Sequence, residues 1–490
     1  MFSSQDPHHQ VPLGGPKTVL VTTSTGGFPV PEPLTSTPTN ATGLGAERFI
    51  PGSSAPMSIK QIKSPSPRVG RSTPKHQSTA TEKSIFGGVV TPVNVFNLYQ
   101  ALSNHPEREF VNKLWSELRE GARIGYSGPR CPRFPHNLPT AYLNPEVVTG
   151  NLTDEVSKWR TTGPFPTPPF KAFQVSPIGL VPKKHFDKFR TTFHLSFPKS
   201  GTASINYFIE KDDFFLQYIT IDNAIAAIQK FCPGCYMGKT DIEYAFRLIP
   251  VHPDDWELLG MFWNGQYYFD KVLPFGLRSA PYIFNQLLDA IEWILLNKCS
   301  ISFVCHILDD FFIVEPPCYT PPLDSLCQAS LSSMIFTFKN LNIPISAAKT
   351  EGPSQIIQFM SIILDSGKME GRLPEDKVER IKSALSTFQS QRSTTLQELQ
   401  SLIGTLNFAC KVIPPGRPFL QRIIHLTRGV KKPHHHIKLT TGFYKDIDLW
   451  KMFIDQWNGI GLFLSPLWET SDTLSTKVHS YFTWVCLRTI

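Results

Sequence analysis

Two adjacent acids, Asp309 and Asp310, interrupt an otherwise apolar run, His306-Ile307-Leu308-Asp309-Asp310-Phe311-Phe312-Ile313-Val314. Like charges side by side in apolar surroundings are costly unless a cation neutralises them. Apolar residues on both sides predict two short strands joined by a tight turn that carries the acids at its tip. An isolated Asp-Asp pair is also what an ordinary hairpin turn contains, because Asp is a common turn residue. A third acid tilts the reading toward chemistry: Asp241, in Lys239-Thr240-Asp241-Ile242-Glu243-Tyr244-Ala245-Phe246, again closes a short segment. Three carboxylates offer oxygen ligands to two hard divalent ions, Mg²⁺ with Mn²⁺ as a substitute. Such a pair can activate an attacking hydroxyl on one side and stabilise a leaving oxygen on the other. This is the chemistry of nucleotidyl transfer.

The order Asp241, then Leu273-Pro274-Phe275-Gly276-Leu277-Arg278-Ser279-Ala280-Pro281, then Leu308-Asp309-Asp310 resembles the palm of a reverse transcriptase. The wording Lys239-Thr240-Asp241-Ile242-Glu243 with Phe246-Arg247-Leu248-Ile249-Pro250-Val251-His252-Pro253 resembles, more narrowly, the DIRS-like retroelements of the tyrosine-recombinase class. Ile307 stands where that family usually carries Tyr. The resemblance runs from about Thr91 to Phe482. It implies an α+β right-hand polymerase with fingers, palm and thumb, adding dNTPs to a primer on an RNA or DNA template. Asp241, Asp309 and Asp310 would be its catalytic, metal-holding acids.

Other residues acquire roles from the same resemblance. Val175 to Leu195 reads as a hairpin with a basic tip, which is also what a charged turn on any β-protein looks like. In the family that hairpin is the fingers, whose Arg190 and Lys184 grip the incoming triphosphate. Phe246 falls where a bulky aromatic abuts the sugar 2′ carbon, arguing for deoxynucleotides, although it also suits a core position. Phe275 and Gly276 lie on a loop that touches template and nucleotide, and Ser279 is placed to cap the helix that follows. Lys349 is a candidate to protonate the departing pyrophosphate, or simply a surface lysine. Met360-Ser361 replaces the Leu-Gly usual in the primer-gripping hairpin.

These residues need elements to hold them. Ile221, Ala224, Ile225 and Ile228 predict a helix beneath the palm sheet, and Phe284, Leu287, Leu288, Ile291 and Leu295 another after the 273–281 loop. Residues 326–338 predict a third helix. Stripes at Val378, Ile381, Leu385, Phe388 and at Leu396, Leu399, Leu402, Leu406, with Thr394-Thr395 as a cap, predict a helical thumb over 371–432. Near it Lys411, Arg417, Arg422, Arg428, Lys431 and Lys432 suit phosphate contact. The proline-laden Gly163 to Phe170 predicts an extended connector. The expected organisation is thus a disordered Pro/Ser/Thr-rich arm over 1–85, a helical region and connector over 86–170, fingers and palm over 171–370, the thumb, and a 433–490 segment ending in a ribonuclease H start. That start, Val478-His479-Ser480-Tyr481-Phe482, is followed by Thr483-Trp484-Val485-Cys486 and no acid, so we expect a truncated domain without nuclease activity.

With 490 residues, 41% of them hydrophobic, the chain can bury a sizeable core; its net charge of +8 suits a polyanionic partner. Nine cysteines, an odd number, do not read as a secreted disulfide framework. Cys232 and Cys235 lack a second pair at zinc-finger distance, and His434-His435-His436 are too close in sequence to share one ion easily. No apolar run approaches the roughly 20 residues that cross a bilayer, so the expected location is intracellular, in cytoplasm or nucleus, with a template–primer duplex and dNTPs as partners and no membrane. Two rival expectations are a weak or inactive nucleic-acid-binding remnant and an RNA-dependent RNA polymerase, against which Phe246 speaks.

Overall fold

A computed structural model describes residues 86–182, 189–198, 204–231, 233–457 and 461–463. The expected arm, Lys184 at the fingers tip, Cys232 and the ribonuclease H start lie outside the described residues.

The helices are α1 (Val95–Ala101), α2 (Arg108–Glu120), α3 (Pro145–Ser157), α4 (Ile221–Lys230), α5 (Ala280–Asn297), α6 (Ser325–Asn340), α7 (Glu375–Ser390), α8 (Leu396–Ala409), α9 (Arg417–His425) and α10 (Thr441–Trp457). The strands that matter for the site are β1 (Thr161–Phe165), β2 (Ile178–Pro182), β3 (Phe189–Phe193), β4 (Tyr236–Asp241), β5 (Gly260–Trp263), β6 (Gln266–Asp270), β7 (Phe303–Ile307), β8 (Asp310–Glu315), β9 (Glu351–Ser354), β10 (Ile356–Phe359), β11 (Ile362–Asp365) and β12 (Glu370–Arg372).

The central sheet has the antiparallel order β7-β8-β4-β9. Its middle strand shows why the acids sit in an apolar run. Side chains alternate across a strand, and in β8 Phe311 and Ile313 enter a core shared with α5 and α6. Phe312 and Val314 enter a second core shared with α4 and α7 to α10. With both faces covered, all four residues are completely buried, and the period-2 signal of a half-exposed strand disappears. The predicted stripe on α5 is buried as expected, and the predicted cap of α8 is a capping box between Thr395 and Glu398.

One local expectation, the Ser279 cap, needs correction, and three other places show detail that the sequence did not carry. Ser279 precedes α5 but makes no side-chain cap; its hydroxyl donates to the Ile124 carbonyl at 2.8 Å, tying the N-terminal region to the 273–281 loop. The proline-rich connector begins as a true strand, β1, at the edge of the β1-β6-β5 sheet, where a missing N–H is tolerated. The β10–β11 hairpin closes without glycine: Phe359 opposes Ile362, and Met360 and Ser361 both adopt left-handed backbone at φ 47° and 63°. Two positive φ values are what a primed two-residue turn requires. In the thumb, Lys411 is paired with Asp222 of α4 and Arg422 with the buried Asp446, each at 2.9 Å. Those two cations are therefore partly neutralised, whereas Arg417, Arg428, Lys431 and Lys432 are exposed.

Candidate active site

Strand register brings the acids together. β4 and β8 pair so that Asp241 lies directly opposite Asp310, and Ile307 of β7 opposes Asp310 on its other side. Leu308 and Asp309 therefore make a two-residue turn, with Leu308 at φ 50° supplying the left-handed corner that such hairpins need. The Ile242 N–H donates to the Asp309 carbonyl at 2.8 Å, locking the turn onto the end of β4. Asp241 is buried, Asp309 half-buried and Asp310 exposed. The carboxylates are 68 and 69 residues apart in the chain, as 309 − 241 and 310 − 241 show, yet share one sheet end.

The electrostatics are those of a crowded anionic site. Burial, then the charge of Asp241, raises Asp309 above the usual carboxylate range. Asp310 keeps a solvent-exposed face, yet desolvation by the protein around its carboxyl, followed by the charges of Asp309 and Asp241, pushes it up to about 6. Lys349 answers part of this repulsion with its Nζ at 2.6 Å from Asp241 Oδ2. Burial works against its charge, but the hydrogen bond it donates to Asp241 and the charges of the three acids together hold the ammonium above its ordinary range. Among the described residues, no group of three or more His, Cys, Asp or Glu side chains is already arranged around a common metal position. The all-oxygen donor set and its only partly relieved repulsion nevertheless fit hard divalent cations. Asp241 meets Lys349 through Oδ2 and also lies within hydrogen-bonding reach of the Asp310 side chain.

Phe246, Phe275 and Gly276 lie together on or beside the 273–281 loop, and Arg190 lies on the β2–β3 hairpin. The Phe246 ring contacts Phe275 (centroids 5.3 Å apart) and, edge-on, the buried Phe284 at 5.5 Å. Gly276 has φ 93°, and a Cβ there would lie 3.0 Å from the Phe193 carbonyl, so glycine is demanded by both backbone and space. Arg190 is exposed on β3, opposite Val181 of β2, in the predicted hairpin.

Sequence reasoning assigned no role to Arg247, whose partners are remote in the chain. It is buried, holding both oxygens of Asp270 at 2.8 and 3.0 Å and Glu155 at 2.6 Å, while the Thr161 hydroxyl donates to Asp270. This fork joins the turn bearing Phe246 to β6 and α3. Arg247→Met leaves the Asp270 charge buried without its partner and should cost about 3–5 kcal/mol of stability. Urea unfolding checks this, and a loss below about 1 kcal/mol contradicts it.

His306, one strand residue before Ile307, was likewise given no role. Its Nε2 lies 3.2 Å from Asp289 and 3.3 Å from Glu292, both on α5, and its ring stacks on Phe311. Burial pushes Glu292 up from 4.5 to about 7; His306 opposes the shift and Asp289 adds to it. A carboxyl raised in this way contributes its stability fully below the unfolded value, and loses it as pH rises through the folded one. Between about pH 5 and 7.5 the urea midpoint of the wild type should therefore fall more than that of Glu292→Gln. Parallel curves would contradict the shift.

Comparison with known proteins bears on this geometry. The family described as "Reverse transcriptase (RNA-dependent DNA polymerase)" matches residues 182–364, the stretch that carries Asp241, the 273–281 loop and the Asp309 turn. These residues form a reverse transcriptase domain. The Pro-Pol polyprotein of feline foamy virus is 26% identical over 183 residues, which is 37% of this chain and 14% of that polyprotein. The retrovirus-related Pol polyprotein from transposon opus of Drosophila melanogaster is 23% identical over 258 residues, 52% of this chain and 23% of that one. This chain thus spans under a quarter of the length of either relative. A solved foamy viral protease-reverse transcriptase in complex with double-stranded DNA superposes with a TM-score of 0.52 at 16% identity, covering 77% of this chain and 62% of that one. The same viral protein in complex with an RNA/DNA hybrid gives 0.50, also at 16% identity, over 76% and 47%. The fold around the reverse transcriptase domain is accordingly the right-hand α+β arrangement. Among the described residues no helix is long and apolar enough to cross a membrane.

Proposed function

We propose that this chain is an RNA-directed DNA polymerase that adds dNTPs to a primer 3′-hydroxyl on a nucleic-acid template. The observation that carries the reading is the register of β4 against β8, which sets Asp241 opposite Asp310 beside the Asp309 turn within a reverse transcriptase domain. Asp241, Asp309 and Asp310 are the residues that would hold two divalent cations, Mg²⁺ by preference. When bound, such ions supply Lewis-acid stabilisation of charge on the reacting phosphate.

The chain's own side chains do the rest. Arg190, with Lys184 six positions before it in the sequence, grips the triphosphate; Phe246 blocks the space a 2′-hydroxyl would need; Phe275 and Gly276 line the base and sugar. Lys349 keeps a proton on Nζ beside Asp241, positioned to be passed to departing pyrophosphate. A template–primer duplex is the proposed partner, in keeping with the duplexes bound by the foamy viral enzyme and with the exposed thumb cations. Within reverse transcriptases we place the chain beside the DIRS-like retroelements, on the wording of residues 239–243 and 246–253.

The test is primer extension by the purified chain on RNA and DNA templates, with dNTPs or rNTPs, alongside a gel shift without nucleotide. Extension with dNTPs supports the reading; a shift without extension would favour a non-catalytic remnant. Arg190→Ala should raise the KM for dNTP about 10- to 100-fold with a smaller change in kcat. An unchanged KM would remove Arg190 from the triphosphate site.

A further inference from the structure

Asn206 has no place in the chemistry above, yet it sits where the fingers meet the 273–281 loop. It lies on a short 3-10 turn, Ile205–Phe208, and is buried with a relative exposure of 6%. Every hydrogen-bonding atom of its side chain is used. Nδ2 donates to the Gly276 carbonyl and to Ser196 Oγ, both at 2.8 Å, and Oδ1 accepts from the Arg278 N–H, also at 2.8 Å. Its backbone N–H donates to the Leu195 carbonyl, two residues past β3, the strand that bears Arg190.

The carboxamide therefore brackets Leu277 within the loop: one atom holds the carbonyl of Gly276, another the amide of Arg278. Arg278 is tied to the same segment a second time, its guanidinium donating to the Ile209 carbonyl at 2.8 Å. Gly276 sits at φ 93°, a conformation that glycine adopts readily and keeps only while something holds it. The residue before it, Phe275, is an exposed ring whose contact is Phe246. Phe246 has Phe284 behind it and Phe275 beside it, so one wall of the sugar pocket is only as rigid as the bracketed loop.

We infer that Asn206 is a positioning residue for substrate selection: by clamping Gly276 and Arg278 it fixes Phe275 against Phe246 and sets how strictly the site separates deoxyribonucleotides from ribonucleotides. The inference rests on the polymerase reading above. Fixing a pocket wall in advance acts on binding and discrimination and little on the chemical step, since the acids stand on a different pair of strands.

Asn206→Asp tests it. The variant keeps an oxygen for the Arg278 N–H but sets a second oxygen against the Gly276 carbonyl where an amide donated. Single-nucleotide incorporation by the full chain should show the KM for dNTP raised about tenfold, kcat changed by less than about threefold, and the preference for dNTP over rNTP reduced about fivefold or more. Ser196→Ala, which removes one support of the same amide, should shift KM and preference in the same direction by about two- to threefold. Asn206→Asp that lowers kcat alone, with KM and preference unchanged, has a structural role only and overturns the inference. If Asn206→Asp does not fold, Ser196→Ala decides, and wild-type KM and preference in it overturn the inference. A wild-type chain that incorporates no nucleotide overturns the polymerase reading and this inference with it, whereas an active wild type with an unaltered Asn206→Asp overturns only the inference.

Discussion

Asp309→Asn should abolish magnesium-dependent primer extension, lowering the rate by about 10³-fold or more, without lowering stability. The two halves of this result come from the same geometry. Asp309 occupies the tip of a two-residue turn whose backbone is held by the Ile242 amide, and asparagine suits that turn as well as aspartate does. Its carboxylate is raised by burial and by Asp241, and it helps raise Asp310, so removing one negative charge relieves repulsion in the folded state. The urea midpoint should stay put or rise. A catalytic acid lost with no stability cost separates function from folding; a variant that extends primers near the wild-type rate would exclude Asp309 from the chemistry.

The second large effect is in sugar choice. Phe246→Val should reduce the preference for dNTP over rNTP by about 100-fold, mainly through a fall in KM for rNTP. The ring is trapped: Phe284 is completely buried and cannot retreat, and Phe275 closes the other side. In the proposed nucleotide site a 2′-hydroxyl would therefore find space only if the side chain itself shrinks. Val keeps a branched apolar group in place of the ring, so the fold should survive; competition between dCTP and CTP on one template reads the ratio directly. If the preference is unaltered, Phe246 is core packing and the discrimination lies elsewhere.

The acids were legible because their cost is local: Asp309 and Asp310 break an apolar run that any reader of β8 will notice, and Asp241 ends a similar segment. Pairing them needed only the register of two strands. The α5 and α8 stripes were legible for the same reason, since helical periodicity survives wherever one face is buried. What escaped is what depends on distant partners. Arg247 stands inside a quoted stretch, but its role comes from Asp270 and from Glu155, the latter 92 positions away. Asn206 became visible only once the fingers and the 273–281 loop were seen to meet. Ser279 misled in the opposite way: its type and position suit a cap, but the Ile124 carbonyl offered a better partner. The β10–β11 hairpin shows that a turn can impose left-handed backbone on Met360 and Ser361 when the strands on each side are well paired.

The most direct test of the central claim is Mn²⁺ binding to the full chain with a bound template–primer, read by the loss of the free-ion signal in electron paramagnetic resonance. If Asp241, Asp309 and Asp310 share a common pair of cations, the wild type should bind Mn²⁺ and each of Asp241→Asn, Asp309→Asn and Asp310→Asn should weaken binding by about tenfold or more. Wild-type affinity in all three variants would contradict it.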